Sequence, residues 1–235
     1  MQELTYVPLE TIQVARPVDR LSWIVAQVKN LTVLDLGAYD ETALHKMDSP
    51  FWLHGRISKV AKKVIGIDNA QKLPEKGIQT SHNSYIHKAD IFVLPTEIVN
   101  QDVDVIVAGE FIEHLSDTST FFKNFKKNTN FTGKRLILTT PNATSLHNVL
   151  LGLLNKESSH IDHLQVYSYK TLNTLCKRAG FTSWNIIPYN VSFQEMALKS
   201  TGMQRHVVLF VESMVNMISY VFPLLSGGWI VDIRI

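Results

Sequence analysis

Two acids, a phenyl ring and an imidazole fall together in Glu110-Phe111-Ile112-Glu113-His114, directly after the apolar run Val103-Asp104-Val105-Ile106-Val107-Ala108-Gly109. An imidazole in such a loop could abstract a proton, orient a nucleophile or cap the next helix, and Glu113 could catalyse or anchor the loop. Two further runs end in a glycine or an acid: Thr32-Val33-Leu34-Asp35-Leu36-Gly37 and Val64-Ile65-Gly66-Ile67-Asp68. A glycine just past a strand lets backbone approach a ligand, and an acid at the next strand tip can accept both hydroxyls of a ribose. Asn69 could add a polar contact or open a helix. In Lys88-Ala89-Asp90-Ile91 the carboxylate can accept from an exocyclic amine while Ile91 packs on a purine face. The set points to a nucleoside-containing cofactor.

The loop after Gly37 separates the cofactor classes. A dinucleotide fingerprint supplies further glycines so that a pyrophosphate sits on a helix N-terminus. Here Tyr39 and Glu41 stand in those positions, and Asp40 adds a second acid. A ring and two acids disfavour NAD or FAD. A cationic sulfonium carrying a free amino group suits Asp35, Asp40 and Glu41 better. A third cluster, Ser159-His160-Ile161-Asp162-His163, follows the strand end at Thr139–Asn142. Metal binding by His160, Asp162 and His163 is conceivable, but no further ligand pair has convincing spacing, so no metal is assigned. His114, His160 and His163 all remain open as the base.

These residues need a frame to position them. Strands are predicted at 32–37, 64–68, 84–88, 103–108, 135–140, 182–188 and 228–234, with helices at 50–62, 117–128, 142–155 and 168–179 between them. Such alternation predicts a mostly parallel sheet with helices on both faces. Ser116-Asp117 and Ser168 are caps, and Gly180 is a stop. The alternating end, Gly227 to Ile235, reads as a half-buried strand, which a hairpin-like return to a sheet edge would make antiparallel to its neighbours. Residues 9–29 have roughly helical spacing broken by Pro17, predicting one or two helices in an N-terminal extension (1–30). Val207 to Leu225 is strongly apolar, yet Glu212 and Asn216 lie on one helix face, which suits an amphipathic helix rather than a membrane span. The surrounding 190–226 region forms an apolar, lid-like insertion. Most of Phe193, Met196, Met203, Phe210, Met214 and Met217 are expected in the core, while a lid over a hydrophobic acceptor, or contact with a membrane surface, would use the same residues.

The chain has 235 residues, a size for one domain, and a formal charge of +2, too small to argue for nucleic acid. Lysine clusters such as Lys59-Lys62-Lys63 read as solvated helix faces. A single cysteine, Cys176, excludes an internal disulfide and sits at an apolar helical position. Met1-Gln2-Glu3-Leu4 lacks a basic region followed by an apolar one, so a cytoplasmic protein, peripheral to a membrane at most, is expected.

The ordered set Val33-Leu34-Asp35-Leu36-Gly37, Val64-Ile65-Gly66-Ile67-Asp68, Ala89-Asp90-Ile91 and Asp104 to Glu110 resembles the class I S-adenosylmethionine-dependent methyltransferases. Glu113-His114-Leu115 followed by Leu136-Ile137-Leu138-Thr139-Thr140-Pro141-Asn142 is similar to the small-molecule branch, with its ubiquinone-biosynthesis O-methyltransferases and sugar methyltransferases. His163-Leu164-Gln165-Val166-Tyr167-Ser168 and Ala179-Gly180-Phe181 continue the likeness, which spans roughly residues 32–187. The resemblance implies a Rossmann-like α/β fold with a seven-stranded sheet whose last strand is antiparallel. It also implies S-adenosylmethionine across the strand ends: Asp35, Gly37 and Tyr39 bordering its methionine part, Asp68 on the ribose, Asp90 and Ile91 at the adenine, Glu110 near its centre. The implied acceptor is a small molecule or glycan. A non-catalytic scaffold that kept the fold is the competing expectation.

Overall fold

The computed structural model describes residues 9–39 and 49–235, so Asp40 and Glu41 lie outside the described residues. Eight strands form one sheet in the order β3-β4-β2-β1-β5-β6-β8-β7. These are β1 (Thr32–Leu36), β2 (Lys63–Asp68), β3 (Ile78–Ser81), β4 (Ser84–Lys88), β5 (Val105–Gly109), β6 (Arg135–Pro141), β7 (Ser183–Tyr189) and β8 (Gly228–Arg234). Strands β4, β2, β1, β5 and β6 run parallel, and β8 lies antiparallel between β6 and β7. The parallel centre follows from its sequence. Strands covered on both faces read as continuous β-branched runs, and Val33, Leu34, Val64, Ile65, Val105 and Ile106 are all nearly inaccessible to solvent.

Side chains alternate across the sheet. Leu34, Leu36, Ile106 and Leu138 pack with Phe121, Phe122, Leu172 and Cys176 on one face. Val33, Val105, Val107 and Ile137 pack with Ile24 and Ile57 on the other. Helices therefore cover both faces: α1 (Arg20–Gln27) and α2 (Leu53–Ser58) one, α4 (Thr118–Lys127) and α6 (Tyr169–Ala179) the other. The short α3 (Thr96–Val99) and then α5 (Leu146–Leu153), α7 (Gln194–Lys199) and α8 (Gly202–Val221) complete the α-helices among the described residues. The expected caps are in place. Asp117 accepts from Thr120 N, Ser168 from Thr171 N, and Gly180 closes α6 at φ 86°.

Two expectations are corrected and a third is narrowed. The sheet has eight strands, not seven, because β3 adds an antiparallel edge beside β4. Ile78-Gln79-Thr80-Ser81 has one apolar residue and an irregular register, so it carries no alternation signal. The N-terminal extension holds one helix of the one or two expected, Arg20–Gln27, among the described residues. Val18 instead bridges in parallel to Tyr189, and Asp19 caps the helix through Ser22 N.

The second correction concerns α8, whose apolar side faces outward. Three of its polar residues face the protein: Glu212 Oε2 accepts from Phe193 N at 2.6 Å, Asn216 Nδ2 donates to Val191 O at 3.0 Å, and Ser219 Oγ donates to Leu225 O at 3.1 Å. Met203, Phe210, Met214 and Met217, expected mostly in the core, are exposed, as are Met196, Val211, Val221 and Phe222. Periodicity fixes that a helix has two faces but not which one docks. No described helix is long and apolar enough to cross a membrane.

Candidate functional site

The parallel strands end on one edge of the sheet, where the loops carry Asp90, Asp68, Gly37 to Tyr39, Glu110 to His114 and Asn142. Ligands of open α/β sheets collect at such an edge. The loop after β1 is held from three sides. Gly37 N and Ala38 N donate to Ile67 O at 2.9 and 3.2 Å, and Tyr39 N donates to Asp68 Oδ2 at 2.9 Å. Trp52 Nε1 donates to Ala38 O at 3.1 Å. Gly37 has φ +71°, and a Cβ there would come within 2.6 Å of Phe111 Cδ2. The Tyr39 side chain is buried in a small core with Trp52, Leu73 and Ile86.

Asp68 Oδ1 also accepts from Ala70 N at 2.8 Å, and burial raises its carboxyl above the usual range. Each carboxylate oxygen keeps a second lone pair. Asn69 beside it is exposed. Asp90 is exposed with Oδ1 accepting from Phe92 N at 2.9 Å, and Ile91 lines a hollow of about 250 Å³ with Phe121, Phe125 and Phe131.

Asp35 stands on the α2 face of β1, where Oδ2 lies 2.8 Å from His54 Nδ1, both residues buried. His54 Nε2 completes the relay at 2.7 Å from Ser84 Oγ and 3.0 Å from Thr80 Oγ1. The arrangement is satisfied when Nδ1–H donates to the carboxylate and Nε2 accepts from the hydroxyls. His54 escapes a reading by motif. One signal points to it: Gly66, opposite Asp35, interrupts an apolar strand, and a Cβ there would meet His54 Cε1 at 2.9 Å.

Glu110 adopts φ 51°, a conformation uncommon outside glycine and one that collects at functional sites. Its Oε1 accepts from Thr139 Oγ1 and from the Tyr189 hydroxyl, each at 2.9 Å. The Arg20 guanidinium lies 3.6 Å from Oε1 and donates to Thr139 Oγ1 at 3.2 Å. Burial, then the Glu110 charge, pushes the Tyr189 hydroxyl well above its ordinary pKa, so it stays a donor. Arg20 and Tyr189 join the site from distant segments, with no local pattern to announce them.

The catalytic candidates meet across two loops. The Glu113 carbonyl accepts from Leu164 N at 2.9 Å and Gln165 N at 3.1 Å, and Gln165 Nε2 donates to Leu115 O at 3.0 Å. This docking sets the His114 and His163 rings edge to face, 4.8 Å between centroids. His114 Nδ1 lies 3.2 Å from Asp162 O; a carbonyl only accepts, so Nδ1 is the donor of this contact. Glu113 is 1% exposed, and neither carboxylate oxygen has a hydrogen-bond partner among the described residues. The Thr140 hydroxyl lies close by, outside hydrogen-bonding geometry. Burial, then Glu110, raises the Glu113 carboxyl well above its usual pKa. Burial, then the neighbouring His114, lowers that of His163. His160 pairs with Asp162 at 3.4 Å on the exposed side, so the trio that converges is Glu113, His114 and His163.

Residues 10–186 match the model of a methyltransferase domain family. A S-adenosylmethionine-dependent methyltransferase from Archaeoglobus fulgidus is 16% identical, with 92% of this chain and 91% of that one covered at a TM-score of 0.52. The small RNA methyltransferase HEN1 is 16% identical, with 97% of this chain but 27% of that one covered at 0.55. The YcgJ protein of Bacillus subtilis is 14% identical, with 90% and 96% covered at 0.50. At these identities the likeness is one of fold. No curated protein sequence gives a significant match.

Proposed function

The chain belongs to the methyltransferase-domain family, and from that premise we propose that it transfers a methyl group from S-adenosylmethionine to a hydroxyl oxygen of a small-molecule, sugar or lipid-linked acceptor. The observation that carries this reading is the docking of Leu164 and Gln165 on Glu113, which sets His114 and His163 beside the carboxyl end of β5.

The residues at the strand ends fit the cofactor: Asp68 keeps lone pairs for ribose hydroxyls, and Gly37 presents backbone without a Cβ. Asn69 borders the ribose, Asp90 and Ile91 take the adenine side, and Asp35 and Tyr39 support the loop bordering the methionine part. Glu110, held by Thr139, Tyr189 and Arg20, stands near the centre. The cofactor supplies an electrophilic methyl group on a sulfonium. The protein aligns the acceptor oxygen with it, excludes water and receives the acceptor's proton. His163 is suited to receive it, since its lowered pKa leaves the ring neutral near neutral pH.

A lipid-linked acceptor, met at a membrane surface, is favoured by α8. Its exposed Met203, Phe210, Met214 and Met217 sit on a helix whose polar side is already satisfied.

Methyl transfer from labelled S-adenosylmethionine to a panel of hydroxylated acceptors, polyprenol-linked sugars included, tests the reading. Acceptor-dependent turnover that falls about 100-fold or more in His163→Ala is expected. Cofactor binding by the folded protein without turnover on any acceptor favours the scaffold instead.

A further inference from the structure

We infer that α8 is the contact between two copies of this chain, paired antiparallel across a two-fold axis. Met203, Val207, Phe210, Met214, Met217 and Val221 recur along α8 at steps of four, three, four, three and four. All six are at least 40% exposed. Alternating steps of three and four are the heptad spacing of a helix that packs on another helix, each side chain filling a hole in the facing one. A bilayer imposes no such spacing, since a broad apolar face is enough for it.

The steps also read the same from either end, so the stripe is complementary to its own reversed copy. Antiparallel pairing centred at position 212 sets Met203 against the partner's Val221, Val207 against the partner's Met217 and Phe210 against the partner's Met214. A two-fold axis requires such reciprocity, in which one residue meets a second and that second meets the first. Charge suits this occupant. The stripe is flanked by Gln204, Val211 and Ile218 on one side and by His206, Ser213 and Tyr220 on the other. None of these is lysine, arginine, aspartate or glutamate, so two copies meet without like-charge repulsion. Glu212, at the centre of the helix, is turned inward and accepts from Phe193 N.

The area suits it too. Ten large apolar side chains of α8 are 40% exposed or more. Together they offer on the order of 800 Å², the share of each partner in a standard interface. A monomer rarely leaves that much contiguous apolar surface uncovered. The pairing stands apart from the methyl-transfer reading and competes with lipid for one face. It is the form in water, and a membrane surface takes the same side chains in exchange.

Sedimentation velocity from about 1 to 100 μM chain should show a monomer–dimer equilibrium. Phe210→Glu combined with Met214→Glu sets like charges face to face in the central layers and should shift its midpoint at least about tenfold. Disulfide formation reads the orientation. Chains with Met203→Cys, mixed with chains with Val221→Cys, should cross-link to each other. Neither should link to itself, because an antiparallel pair keeps its like positions about 27 Å apart. The buried Cys176 takes no part, and every substituted position is exposed, so the variants keep their fold. A chain that stays monomeric at about 100 μM yet sediments with anionic vesicles overturns the pair and leaves the face to lipid. Self-linking of the Met203→Cys chain, or a dimer that the double variant leaves intact, overturns it as well.

Discussion

The backbone N–H of Tyr39 donates to Asp68 Oδ2 at 2.9 Å, so the acid ending β2 holds the loop that follows β1. Burial is the largest influence on this carboxyl and raises its pKa above 3.8, outweighing the bonds from Ala70 and Tyr39. The native state therefore binds a proton here at a pH where the unfolded chain does not. The group's contribution to stability is fully present below about pH 3.8 and is lost as pH rises through the higher folded value. Urea midpoints of the wild type relative to Asp68→Asn should rise as pH falls toward that limit. A flat or opposite trend contradicts the assignment.

Gly37 combines φ +71° with a Phe111 ring where a Cβ would stand. Gly37→Ala should cost on the order of 1–2 kcal/mol from the backbone alone, plus the displacement of the ring. In a double-mutant cycle Phe111→Ala should relieve the second part and leave the first. Full rescue would mean that the backbone conformation carries no cost.

Cys176 is inaccessible on α6, and burial pushes its thiol up to about 12. Thiolate is the reactive form, so alkylation by iodoacetamide should be negligible in the native protein and rapid in denaturant. Mass spectrometry before and after unfolding decides this. Fast native labelling would place the residue outside the core.

The outward apolar face of α8 predicts binding to anionic lipid vesicles. Replacing Phe210 and Met214 by Glu should lower the bound fraction about tenfold, while thermal stability changes by no more than about 0.5 kcal/mol per site. Vesicle sedimentation with a parallel melt measures both. Equal binding by the double variant would assign the face to something other than lipid.

The parallel core was legible because strands buried on both faces have no polar side to disguise them: all seven predicted strands are present, each within two residues of its expected ends. β3 was not, since an edge strand held by one neighbour needs little apolar pattern. The grouping of candidate residues was legible where it lay within one loop, as at Glu110 to His114. It was not where folding joins distant segments: Asp35 with His54, Glu110 with Arg20 and Tyr189, Glu113 with His163. The docking face of α8 was misread because Glu212 and Asn216 find backbone partners inside, and hydrophobicity alone places them outside.

Calorimetric titration with S-adenosylhomocysteine, the product left by S-adenosylmethionine, reads directly whether the strand-end loops hold this cofactor. One site with a Kd on the order of 1–100 μM is expected, weakened at least about tenfold in Asp68→Ala. No binding at about 1 mM ligand, with the protein shown to be folded, contradicts the account.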